Sequence, residues 1–234
     1  MNFVTAYGAF VARATLTAKK AAALAGAGHR VVVFQIDFQG SQLSQRSAQQ
    51  LALEQQRATA VGLEVWWWAW VRPHNKPKPG RPSGPDALYQ RIRDFADDLG
   101  QPHGFICNCE VGGGWSRSTP DLAPVAEAAR AAGSLVVGLS SHGVVGPRWP
   151  VGAFDIGLPQ LYRVAHLTRS WTRMCLQTWE RAPILWPTLG AADAESDAVA
   201  MVADLKAVNA VGSKGALWWT ARDLSGSKLA ASVP

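Results

Sequence analysis

Cysteine is scarce: Cys107, Cys109 and Cys175 are the only three in 234 residues, and their spacing fits neither a paired zinc site nor a disulfide framework. They read as reduced, buried thiols. Charge is sparse too, with 17% of residues charged against 48% hydrophobic, a balance that excludes a disordered chain and favours a compact, enzyme-like one. No apolar run approaches the roughly 18 residues that span a bilayer, so membrane insertion is not expected. Met1-Asn2-Phe3-Val4-Thr5 lacks a charged segment leading into an apolar core and does not read as a signal peptide. The five histidines are dispersed, so no metal site is expected. Gly112-Gly113-Gly114 is followed by Trp115 rather than by lysine, which excludes a phosphate loop. Gly26-Ala27-Gly28 precedes an apolar run where a dinucleotide fingerprint must follow one, so no cofactor is expected.

What is present is a basic, tryptophan-rich chain. The net charge of +6 favours an anionic partner such as a cell wall, a nucleic acid or a membrane surface. The basic residues are scattered, however, which equally suits a solvated surface, and no nucleic-acid motif accompanies them. A nucleic-acid partner is therefore not expected, and the oligomeric state is left open.

Apolar runs bounded by polar helical stretches place eight strands at 3–8, 30–37, 63–71, 104–110, 135–141, 155–162, 184–189 and 215–220. Helical segments fall at 17–25, 43–60, 85–99, 121–132, 170–181 and 196–210. Strict alternation implies a parallel sheet, and eight units with no second domain close most simply into one α/β domain over 1–234, a (β/α)8 barrel. An open doubly wound sheet is the other arrangement. Little chain follows the last strand, so the last outer helix is expected to be short or missing. Arg72 to Pro85 carries Pro73, Pro77, Pro79 and Pro82 with Lys76, Lys78 and Arg81, and reads as a long loop after the third strand. It is either a rim over the cleft or a basic loop that touches no ligand.

Barrel enzymes keep their reacting groups at the C-terminal strand ends, and alternate residues of a strand share a face. In the fourth strand Ile106, Asn108 and Glu110 point one way and Phe105, Cys107 and Cys109 the other. The small apolar cysteines suit the helix side, which turns Asn108 and Glu110 into the barrel. Glu110 is then a candidate acid at the mouth, or a carboxylate paired structurally with an arginine. Gln35 and Asp37 share a face at the end of the second strand, and Gln160 and Tyr162 at the end of the sixth. Asp155 opens the sixth strand and belongs to the stabilising end. Eleven tryptophans are a heavy load. Trp68, Trp115, Trp186 and Trp219 are candidates for stacking on sugar rings, although any one of them can equally be core.

His103-Gly104-Phe105-Ile106-Cys107-Asn108-Cys109-Glu110 resembles the DGxDxDxE motif of family 18 chitinases and endo-N-acetylglucosaminidases, matching its glycine and terminal glutamate. Asn108 stands where that motif has its last aspartate. Gln160, Tyr162 and Trp218 or Trp219 look like that family's sixth- and eighth-strand residues. Asn108-Cys109-Glu110 is also similar to the Asp-x-Glu of family 25 muramidases, the lysozymes of phages and bacteria, with Asp37 resembling their early acidic residue. The stretch 140–162 resembles phage-encoded hydrolase-like barrels.

These resemblances imply a glycosidase of N-acetylated glycans, peptidoglycan first, with a polysaccharide as partner and a setting in the cytoplasm before release or in a phage particle. Glu110 would be the general acid, its proton kept on by desolvation. The substrate acetamide, oriented by Tyr162 with Asn108 or Asp37, would be the nucleophile, unless Asp37 itself serves. Because asparagine cannot ionise, the other reading is a barrel that binds glycan without cleaving it, or a structural part of a larger assembly.

Overall fold

The computed structural model describes residues 6–11, 15–36, 48–77, 81–117, 120–134, 136–161, 169–190, 198–219 and 224–234. Its strands pair in parallel throughout. β1 (Ala6–Val11) lies between β2 (Val31–Gln35) and β9 (Gly215–Trp219), and β3 (Glu64–Trp70), β4 (Gly104–Asn108) and β5 (Val136–His142) follow β2 in order. β6 (Ile156–Gln160) pairs with β5, with β7 (Ile184–Leu185) and with β8 (Thr188–Gly190), and β8 returns to β9, closing the barrel. The seventh staves, β7 and β8, are one barrel position interrupted at Trp186-Pro187, where proline has no N–H to give to the ladder.

Among the described residues seven helices lie outside the strands: α1 (Ala18–Gly26), α2 (Ala48–Thr59), α3 (Pro85–Leu99), α4 (Ala123–Ala131), α5 (Arg169–Gln177), α6 (Ala198–Asn209) and the five-residue α7 (Gly226–Ala230). The last of them is the shortest. No α-helix stands between β5 and β6, where the chain makes only a 3-10 turn at Val151–Ala153. α3 shows how the helices seat themselves: Pro85 fits the first turn, which has no bond for its missing N–H, and Leu88, Ile92 and Ala96 form one buried stripe.

The two faces of the strands bury different clusters. Val32, Phe34, Trp67, Phe105, Cys107, Cys109 and Trp218 join the helix-facing core. Phe10, Val33, Trp66, Trp68, Ile106, Leu158, Trp186 and Leu217 fill the interior. Cys107, Cys109 and Cys175 are free and buried, and burial pushes their thiols up, that of Cys175 to about 11.

The first strand is described over Ala6–Val11 and runs on past Gly8, where the pattern ended it; residues 3–5 of the expected strand lie outside the described residues. The glycine that looked like its end lies inside it. A side chain on Gly8 would meet the Val31 carbonyl at 2.5 Å and Leu217 at 2.8 Å, so the residue marks a close approach of strands and not a turn.

Asp155 stands at the N-terminal end of the barrel, as its position predicts. It accepts hydrogen bonds from the Val137 amide at 2.8 Å and from Arg130 Nη2 at 3.0 Å. At the same end His29 is buried, and its Nε2 meets Ser232 Oγ at 2.7 Å. That hydroxyl donates to the Leu229 carbonyl at 2.6 Å, so His29 is the donor of the pair and carries its proton on Nε2. Nδ1 has no partner among the described residues. A second proton there would be buried and unbonded, and burial, followed by Lys20, lowers the imidazole to about 4.

Candidate functional site

The site is built where β4 runs out. Register sets Asn108 beside Trp70 of β3 and Ser140 of β5, and Ser140 beside Leu158 of β6. Glu110 is still extended, at φ −120° and ψ 149°, and its carbonyl accepts from Gly113 at 2.8 Å as the chain tightens into the 3-10 turn Val111–Gly113. Both Asn108 and Glu110 are buried.

The Gln160 side-chain amide at the end of β6 ties these strands together. Its Nε2 donates to Glu110 Oε1 at 2.8 Å, to Asn108 Oδ1 at 3.0 Å and to Ser140 Oγ at 3.2 Å. Two amide protons shared among three acceptors favour the nearest, the carboxylate. Glu110 therefore reaches across β5 through the interior rather than outward between helices. One of its oxygens is fixed by this bond.

Around this cluster the interior is aromatic. Trp68 makes edge contacts with Phe10 and with Trp219 at 5.9 and 5.5 Å between ring centres, and Trp186 lies 5.4 Å from Trp66. Three donors in this layer, Trp68 Nε1, Trp186 Nε1 and Thr188 Oγ1, are buried with no partner among the described residues. Buried donors are ordinarily satisfied, so this layer carries hydrogen-bonding capacity that the described residues do not use.

Of the residues picked out by sequence, the structure brings Glu110, Asn108 and Gln160 into one hydrogen-bonded group and sets Trp68, Trp186 and Trp219 in the interior beside it. Gln35 ends β2 at the register level of Trp68 and is half-buried. Trp115 is elsewhere: it packs in the helix-facing core and its Nε1 donates to the Val71 carbonyl at 2.8 Å. Asp37 and Tyr162 lie outside the described residues. The loop after β3 folds back on its strand, with Arg72 bridging to Ser83 and the Arg81 guanidinium 4.4 Å above the Trp70 ring. Ser140 and Thr188 were missed. The alternation that selected Asn108 also turns Ser140 inward, but a serine inside an apolar run carries little signal of its own.

No helix among the described residues is long and apolar enough to cross a membrane, and no cluster of three or more His, Cys, Asp or Glu side chains there could hold a metal.

The closed ring of parallel strands with helices outside defines a TIM-barrel fold, and comparison with solved structures agrees. No protein-family model matches the chain, and no curated protein matches it in sequence. The xylanase and alpha-amylase inhibitor protein XAIP-II from Scadoxus multiflorus superposes with a TM-score of 0.64 at 11% identity, over 99% of this chain and 98% of that one. A chitinase from Chromobacterium violaceum gives 0.63 at 13% identity, over 98% of each chain. The beta-mannanase of the blue mussel Mytilus edulis gives 0.60 at 10% identity, over 98% of this chain and 91% of that one. Several neighbours are thus glycoside-hydrolase barrels, but an aldolase matches as well. At such identities the likeness is one of fold.

Proposed function

We propose that this protein is a glycoside hydrolase of N-acetylated glycans, peptidoglycan first, with Glu110 as its general acid. The observation that carries the reading is the bond from Gln160 to Glu110 Oε1, which fixes a buried carboxyl at the C-terminal face of the barrel. A proton on Oε2 passes to the glycosidic oxygen as the bond to the anomeric carbon breaks. The acetamide carbonyl of the substrate closes on that carbon, and water later opens the ring and returns a proton to Glu110. Asn108, whose Oδ1 is held by Gln160, keeps its amide N–H groups for the acetamide. Trp68, Trp186 and Trp219 offer flat faces to the sugar, and the unpartnered N–H groups of Trp68 and Trp186 fit its hydroxyls. Gln35, Asp37 and Tyr162 complete the proposed site; Trp115, its N–H already bonded, braces the end of β3 instead.

Asn108 supports a second reading, a barrel that binds glycan without turnover, since asparagine cannot stabilise positive charge as aspartate does. XAIP-II, a xylanase and alpha-amylase inhibitor protein, shares this fold, so the fold alone does not choose between the two readings. Release of reducing ends from purified peptidoglycan and from chitin oligomers separates the two. Products from wild type and none from Glu110→Gln support hydrolysis; saturable binding with no products supports the second reading.

A further inference from the structure

A second cavity, of about 710 Å³, lies beyond β5 from the Glu110 cluster, lined among others by Arg117, Ser141, His142, Val144 and Trp149. It opens where a barrel of this kind would carry a helix after β5 and this chain carries a turn. Its walls are bonded to each other: the buried Trp149 donates through Nε1 to the Arg117 carbonyl at 2.8 Å, joining the segment after β4 to the segment after β5.

Three features give it a chemistry. Ser141 is fully buried, and its hydroxyl has no partner among the described residues. Arg117 is exposed, and its guanidinium makes no ion pair or hydrogen bond among them. His142 adds a third polar group, and none of the described lining residues is acidic. A hydroxyl donor and an arginine in a recess walled by valine and tryptophan match a carboxylate on a short apolar stem. The cavity also shares its edge with the proposed site, because His142 is the register partner of Gln160 and Val111, another lining residue, directly follows Glu110.

We infer that this cavity is a subsite for a carboxylate borne by the glycan, with Arg117 pairing the charge and Ser141 donating to it. The inference rests on the glycan reading above and narrows it to acid-substituted sugars, such as those carrying an ether-linked lactyl group, over neutral chitin.

N-acetylmuramic acid and N-acetylglucosamine differ by that lactyl group, so each is titrated against the whole protein and followed by calorimetry. Wild type is expected to bind the acidic sugar about tenfold more tightly, and Arg117→Ala to abolish the preference. The substitution leaves the Arg117 carbonyl in place for Trp149, and Arg117→Lys is expected to restore part of the preference. Equal affinities in wild type, binding of neither sugar, or an unchanged preference in Arg117→Ala overturns the subsite. Glu110→Gln, assayed for turnover in parallel, keeps the two ideas apart. Lost turnover with no Arg117-dependent preference removes the subsite alone, whereas retained turnover with that preference intact removes only Glu110 as the acid.

Discussion

Five buried tryptophans of the helix-facing core and three of the barrel interior, Trp66, Trp68 and Trp186, are alike in burial but differently bonded. On the outer side Trp67 donates to Gln55, Trp115 to Val71, Trp149 to Arg117, Trp179 to Gly143 and Trp218 to Ser232, all within 3.1 Å. On the inner side Trp68 and Trp186 have no acceptor among the described residues, and Trp66 reaches Glu64 only at 3.4 Å. Desolvating an indole N–H without a partner costs stability, and among the described residues that cost is confined to the face that holds Glu110. Burial alone therefore does not separate the two sets of tryptophans in this molecule; the fate of the N–H does.

The largest expected effect tests whether the interior is the working face. Glu110→Gln keeps the shape and the contact with Gln160 but has no proton to give, so turnover on an N-acetylated glycan should fall about 10²–10⁴-fold. The urea midpoint should hardly move. Wild-type turnover in this variant would show that the paired cluster is architecture and that the two faces differ in bonding but not in function.

The helix side has its own expected signature, in pH. His29 is neutral in the fold and lowered to about 4, against 6.5 when unfolded, so the unfolded chain binds the extra proton first. Stability from this group is complete above 6.5 and falls as pH drops towards 4, by about 3 kcal/mol in all. Chemical denaturation of wild type and His29→Gln at steps between pH 7 and 4 measures it. Curves of the same slope for both proteins would mean that the latch between His29 and Ser232 does not titrate here.

The barrel was legible in the sequence because its signal is periodic: runs such as Val31-Val32-Val33-Phe34 and Glu64 to Trp70 are apolar on both faces, as only covered parallel strands are. The orientation of Asn108 and Glu110 followed from one chemical contrast, the cysteines between them. Less periodic features were hidden. Gly8 as a packing residue and the bonds of Gln160 depend on neighbours far away in the chain, which no local pattern records. Nor could sequence sort the tryptophans, because Trp115 and Trp186 look alike until their N–H partners are known.

Interior packing offers a smaller but sharp test. A Cβ on Gly104 would stand 2.7 Å from two ring atoms of Trp66, which is buried and lies against Trp186. Gly104→Ala should therefore cost about 1–3 kcal/mol in urea unfolding, as overpacking does. A neutral result would mean that the interior rings have room to shift, and that their unpartnered N–H groups are free to find acceptors by moving.

The smallest expected difference bears most directly on the comparison, because Trp67 and Trp68 are neighbours on β3. Both are buried and both make edge contacts with aromatic rings, Trp67 with Phe95 at 6.2 Å and Trp68 with Phe10 and Trp219. Replacing either with phenylalanine removes similar volume, so the common part of the cost cancels between the two variants. What remains is the N–H. Trp67→Phe strands Gln55 Oε1, in a side chain whose Nε2 already has no partner among the described residues, whereas Trp68→Phe removes a donor that was itself unpartnered. Trp67→Phe should thus be the less stable of the pair by about 1 kcal/mol. Trp68→Phe should in turn be the one that weakens binding of chitin oligomers, by a factor of a few, since it loses the group offered to the sugar. Equal stabilities would show that Trp68 Nε1 finds a partner within the fold; weaker glycan binding by Trp67→Phe alone would put the working aromatics on the outer face instead.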